Sequence, residues 1–184
     1  MIAALLSADE QRQLLVLARD ALVARVSGFP PPAAVDGPRI VTGAFVTLHH
    51  RGDLRGCLGR VETGLPLVHA VSSLAAAVAD SDPRFAPLCA AELDAIAIEI
   101  SVLTPPRPVE SIEQVVVGRH GLIVERDRRR GLLLPQVAVE HGWDAPTFVA
   151  HTCFKAGLPA DAWQEGAQVF VFEAQVFGER HEST

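Results

Sequence analysis

Gly43-Ala44-Phe45-Val46-Thr47-Leu48, then His49-His50-Arg51-Gly52-Asp53, then Leu54-Arg55-Gly56-Cys57-Leu58-Gly59 is the stretch on which the reading of this chain turns. Two strand-like runs flank a turn near Arg51-Gly52 and predict a hairpin. One register sets Leu48 opposite Leu54 and Ala44 opposite Leu58, which gives an apolar face. Phe45, Thr47, His49, Asp53, Arg55 and Cys57 then share the other face, because strand side chains alternate. Gly56 and Gly59 lie inside the strand pattern, where glycine marks close approach of a ligand or of backbone. A cation beside a cysteine favours its thiolate, so Arg55 and Cys57 together point to a site.

Outward from the hairpin, Ser7-Ala8-Asp9-Glu10 is a capping box. The apolar stripe Leu14, Leu17, Ala18, Ala21, Leu22 carries that helix to about Ser27, where Gly28 suits the C-terminal cap and Pro30-Pro31-Pro32 forbids continuation. Residues 30–39 read as an extended connection. Leu65 to Ala79 predicts a second helix, with Pro66 in its first turn. Asp80 to Phe85 is a polar turn. Ala95 to Leu103 is the clearest strand, with Ile96, Ile98, Ile100 and Val102 on one face and Ala97, Glu99 and Ser101 on the other. Ser111 to Val117 predicts a short helix. Gly121 to Glu125 and Gly131 to Leu134 predict strands joined by an arginine-rich turn. Asp144 is placed to cap a helix bearing Phe148, Val149, Cys153 and Ala156. Gln168 to Phe177 predicts one final strand. Helices and hairpins do not alternate as βαβ units, so the expected class is α+β, a largely antiparallel sheet flanked by helices.

The 184 residues suffice for a single domain with a proper core, or for one with a smaller lobe. No apolar run is long enough to span a bilayer, and Met1 to Leu6 lacks a basic leader region, so a cytoplasmic protein is expected. A formal net charge of −6 disfavours nucleic acid and anionic membranes as partners. The three cysteines, Cys57, Cys89 and Cys153, are widely spaced, and the seven histidines form no metal-binding pattern, so neither a disulfide framework nor a metal site is expected. No phosphate-binding loop, dinucleotide fingerprint or nucleophile elbow is present, and no cofactor signature is read.

Several residues carry a chemical and a structural reading side by side. Cys57 is a nucleophile or a small packed residue. Arg55 and Arg84 are forks for a carboxylate or phosphate, or they tie down loops through Asp82 or Glu99. Glu99 is a general base or an ion-pair partner, with Ser101 as its neighbour on the same face. His49 is a second proton carrier. His120 is a catalytic or a locally bonded turn histidine. Gln136 reads the polar edge of a ligand or packs. Arg126 and Arg128 to Arg130 form a basic turn without interleaved aromatics, which favours a solvated hairpin.

Leu54 to Gly59 resembles the L-R-G-C-I-G signature of the AMMECR-domain family, also called AmmeMemoRadiSam system protein A. Gly43 to Leu48, Asp82-Pro83-Arg84-Phe85, Glu99 to Leu103, His120-Gly121-Leu122, Leu134 to Val137 and Lys155 to Leu158 fit the same family in order. The resemblance spans roughly residues 10–178. Leu58 replaces the family's isoleucine, Ala86 stands where proline is usual, and His49-His50 is particular to this chain. The resemblance implies a large lobe holding both termini, a smaller lobe and a cleft between them. It also implies a genomic association with Memo-like and radical SAM proteins, which are the partners it suggests. Any radical SAM cluster would belong to a partner, since the three cysteines lack C-x₃-C-x₂-C spacing. Two functions follow as expectations. One is an enzyme, or enzyme component, acting on a small anionic ligand at Arg55, Gly56, Cys57 and Gly59. The other is a non-catalytic interaction or delivery partner. An RNA-binding or regulatory module is a weaker third.

Overall fold

The computed structural model of the chain describes residues 6–32, 43–61 and 65–179. In chain order the elements are α1 (Ala8–Val26), β1 (Gly43–His50), β2 (Asp53–Val61), α2 (Leu67–Ala77), β3 (Ile96–Leu103), β4 (Arg107–Pro108), β5 (Gly121–Arg126), β6 (Arg129–Leu133), α3 (Pro135–Glu140), α4 (Ala145–Lys155), β7 (Gln168–Phe172) and β8 (Ala174–Gly178). The class is α+β, with antiparallel pairing and flanking helices. Most of the connection expected at residues 30–39 lies outside the described residues.

The chain divides into two compact units, one comprising residues up to Leu103 and from Gln175 onward, the other Thr104–Ala174. The first unit holds a four-stranded sheet in the order β2-β1-β3-β8. Ala44, Val46 and Leu48 of β1 pair with Val102, Ile100 and Ile98 of β3. This apolar face packs on Leu14, Ala18, Ala21 and Leu22 of α1 and on Ala70, Val71, Leu74 and Ala75 of α2. Small side chains on both helices let them approach each other and the sheet closely. Ser7 and Glu10 form the reciprocal cap that starts α1, and Gly28 (φ 76°) ends it in the left-handed region that glycine tolerates. Arg19 of α1 ion-pairs with Glu179 just past β8 and also donates to the Leu93 and Ile96 carbonyls.

The second unit holds the sheet β4-β7-β5-β6. Leu122, Val124 and Val171 of that sheet pack against Phe148, Val149 and Cys153 of α4. Gly131 of β6 is where the helix comes closest. A β carbon there would lie 2.4 Å from the Ala156 nitrogen and 2.6 Å from the Thr152 carbonyl oxygen.

Three expectations are corrected. The hairpin register is shifted: Leu48 pairs with Gly56 and Ala44 with Arg60, not with Leu54 and Leu58. The cause is a two-residue turn, Arg51 (φ 53°) and Gly52 (φ 94°), which sets His50 opposite Asp53, followed by a bulge that leaves Arg55 as the extra residue. Leu54 therefore sits opposite His49, and Asp53 leaves the row of Phe45 and Thr47. The final strand is two strands: at Glu173 the chain leaves one sheet as β7 and enters the other as β8. Residues 111–117 contain one 3₁₀ turn, Ile112–Gln114, rather than a helix. Helix α3 was not anticipated, although Pro135 in its first turn is a favourable start.

Candidate functional site

Strand β2 is an edge of the first sheet, and Cys57 sits opposite Thr47 of β1. The Cys57 N–H does not turn toward β1. It donates to Asp82 Oδ2 at 2.9 Å. The Cys57 carbonyl accepts from Arg84 Nη2 at 3.4 Å. One carboxylate and one guanidinium therefore do for this residue what a neighbouring strand would do. The clamp is built from the local turn Asp82-Pro83-Arg84-Phe85. Asp82 Oδ1 accepts from the Arg84 N–H at 3.1 Å and from Nε at 3.0 Å, while Oδ2 accepts from Nη2 at 2.7 Å. Asp82 is buried. The Arg84 hydrogen bonds hold its carboxyl far below the usual carboxylate range, against burial and with help from the Cys57 N–H.

Arg55 leaves the bulge and forms a two-pronged pair with Glu92, at 2.8 and 3.1 Å. That pair, together with the Cys89 N–H, lowers the Glu92 carboxyl to about 2. Both guanidiniums lie near the Phe85 ring, Arg84 at 5.4 Å and Arg55 at 5.9 Å from its centroid. The guanidinium that reaches Cys57 is thus Arg84. Arg55 is engaged with Glu92.

On the sheet face turned away from α1 and α2, Thr47 is flanked by Cys57 on one side and Glu99 on the other. Thr47 Oγ1 donates to Cys57 Sγ at 3.3 Å. The next row is Gly59, Phe45 and Ser101, and the row nearer the turn is Leu54, His49 and Ala97. His49 Nε2 stands 4.0 Å from Glu99 Oε1. Cys57, Glu99, His49 and Ser101 therefore share one partly exposed face. Two strand spacings separate Cys57 from Glu99, about 10 Å.

The two glycines have packing reasons. A β carbon on Gly56 would meet Val78 at 3.2 Å, just past the end of α2, and one on Gly59 would lie 1.9 Å from the Phe45 ring. Phe45 lies over Gly59, its direct cross-strand partner. Gly121 and Phe172 repeat the arrangement in the second sheet, at 2.2 Å.

His120 and Gln136 belong to the second unit. His120 is buried, and its Nδ1 accepts from the Val116 N–H at 3.0 Å. Its Nε2 lies 3.8 Å from Glu173, which Arg119 also holds. Burial first, then Arg107, lowers its pKa. Gln136 is exposed in the first turn of α3. Cys153 is fully buried, and burial pushes its thiol up. Among the described residues no group of three or more His, Cys, Asp or Glu side chains is arranged to hold a metal, and no helix is long and apolar enough to cross a membrane. Sequence reasoning omitted Asp82, Thr47 and Glu92 from the site. For Asp82 there was a signal, since aspartate two residues before a bonded N–H is a turn former.

The AMMECR1 family model matches residues 15–177. The chain belongs to the AMMECR1 family. Protein MJ0810 of Methanocaldococcus jannaschii is 49% identical over 146 residues, 74% of this chain and 73% of the relative. A protein of Methanothermobacter thermautotrophicus is 46% identical over 186 residues, 95% of this chain and 96% of that one. The crystal structure of the uncharacterized protein PH0010 from Pyrococcus horikoshii superposes with a TM-score of 0.74 at 40% identity, covering 91% of this chain and 90% of that one. Both the Leu54–Gly59 hexapeptide and the Asp82–Phe85 clamp of this AMMECR1-family chain lie inside the matched range.

Proposed function

We propose that the sheet face around Cys57 is the working surface, and that the Cys57 thiol reacts with a small anionic molecule. The observation that carries this reading is the contrast within one residue. The Cys57 N–H and carbonyl are both held by the Asp82–Arg84 clamp, and the residues on either side of it pair with β1. Its half-buried sulfur meets only the Thr47 hydroxyl in hydrogen bonding among the described residues. A fixed, accessible thiol is what nucleophilic addition requires. Arg84, more than half exposed, is the cation available to an anion, and Arg55 supports it from the Glu92 pair. Glu99 and His49 share this face with the sulfur, and the role proposed for them is proton transfer on the bound molecule. The thiol proton leaves to solvent, the sulfur lone pair adds to one carbon of a polarised double bond, and the π pair moves to the far atom, which takes up a proton through His49 or Glu99.

The setting proposed is cytoplasmic, where unpaired cysteines persist. The proposed partners are Memo-like and radical SAM proteins, on the strength of the family resemblance. One observation favours a second reading, a non-catalytic interaction or delivery partner. Both arginines of the site already hold carboxylates. Alkylation at pH 7, followed residue by residue by mass spectrometry, separates the two. Reaction of Cys57 faster than the exposed Cys89, slowed by a small carboxylate or phosphate, supports the reactive thiol. Reaction as slow as that of buried Cys153 overturns it in favour of the partner reading.

A further inference from the structure

The second unit contains a cavity of about 600 Å³. Its walls come from the chain around β4, from α4, and from the loop that leads into β7. Val149, fully buried on α4, forms part of the apolar lining together with Ile112. Trp163 adds an aromatic wall, and Glu110, Ser111, Gln164 and Gln168 supply the polar side chains. Every lining residue falls between Pro108 and Phe170, so the cavity lies within the second unit, to which Cys57 does not belong. The size falls within the range of small-molecule sites, and an apolar wall with a few polar groups is their usual composition.

The charge of the lining sets the ligand class. Glu110 is its one ionised residue, and no lysine or arginine is present. No ion pair occupies Glu110 among the described residues. Trp163 packs against the core while part of its ring stays exposed to the cavity side. The face of a tryptophan ring attracts cations. A lining with one carboxylate, one indole ring and no lysine or arginine repels anions and suits an organic ammonium.

We propose that this cavity binds a small organic cation, its apolar body against Trp163, Val149 and Ile112 and its ammonium directed to Glu110. The test uses the full chain carrying Trp143→Phe, which leaves Trp163 as the only tryptophan. The probe is phenethylammonium, with phenylacetate as the control of opposite charge. The expected result is saturable Trp163 quenching by phenethylammonium, with a Kd of about 1 mM or tighter and roughly tenfold weaker in Glu110→Gln. Amide shifts at Val109, Ile112 and Gln168 in a ¹⁵N spectrum should follow the same curve, and the Cys57 alkylation rate should not change. Equal binding of phenylacetate overturns the assignment of a cation. Absence of saturable quenching and of amide shifts with either compound overturns the site itself.

Discussion

Replacing Asp82 by asparagine tests the clamp on β2. The carboxylate accepts from the Cys57 N–H, the Arg84 N–H, Arg84 Nε and Arg84 Nη2. Asparagine keeps one acceptor and turns an N–H₂ toward groups that are all donors. A hydrogen bond to a charged group contributes about 1.5–3 kcal/mol, and breaking a buried pair costs roughly 3–5 kcal/mol. Here Asp82 is buried but the Arg84 side chain is 55% exposed, so solvent screens part of the interaction. The expected loss is about 2–3 kcal/mol, which lowers Tm by roughly 4–12 °C. A domain of ordinary stability survives that loss, so the variant folds.

The pH dependence provides a second arm. The folded Asp82 carboxyl is depressed below its unfolded value. The unfolded chain therefore binds the proton more readily, and the contribution is fully present above the unfolded pKa of about 3.9 and is lost as pH falls below it. Urea melts at pH 7 should show the full gap between the native chain and Asp82→Asn, and melts near pH 3 a smaller one. Hydrogen exchange at the Cys57 amide should quicken in the variant, because that N–H loses its acceptor. A stability gap under about 0.5 kcal/mol at pH 7, or one that widens on acidification, refutes the clamp.

Gly131→Ala should destabilise more than Gly59→Ala in denaturant melts. The new methyl at Gly131 meets α4 backbone, whereas at Gly59 it meets the Phe45 ring, which can move; about 3 kcal/mol against about 1–2 kcal/mol is expected. Ser7→Ala removes the α1 cap and should cost about 1 kcal/mol, read from the same melts. His120 has a depressed folded pKa, so its contribution is full above the unfolded value of about 6.5 and falls as pH drops through it. His120→Gln should flatten the stability profile between pH 7 and 5, and an unchanged profile would remove His120 as its source.

Local signals made much of the fold legible. The Ser7–Glu10 box and Gly28 bracket α1, and the alternation from Ile96 to Val102 marks β3, because cap geometry and strand period are written in consecutive residues. The switch at Glu173 was illegible, since apolar alternation runs from Phe170 to Val176 whichever sheet each half joins. The candidate face was legible in its strand positions but not in its wiring. Cys57, Glu99, His49 and Ser101 were correctly set on sheet positions, yet which guanidinium meets Cys57 depends on a bulge at Arg55 and on a turn 25 residues away. Strand parity tells which face a residue takes only until a bulge intervenes.

The hexapeptide can now be taken apart residue by residue. Leu54 lies exposed beside the turn, Arg55 crosses to Glu92, Gly56 gives way to Val78, Leu58 joins the first core, and Gly59 makes room for Phe45. The Cys57 backbone anchors the Asp82–Arg84 clamp. Apart from exposed Leu54, each of these tasks needs the residue type that is present, or its backbone, without reference to any ligand. The sulfur is different. A serine at position 57 would keep both backbone bonds and remain a partner for the Thr47 hydroxyl. The fold therefore gives no reason of its own for a thiol there. If the motif carries chemistry, Cys57→Ser should abolish it while leaving the melting curve nearly unchanged. If it carries only architecture, that substitution should be silent in both.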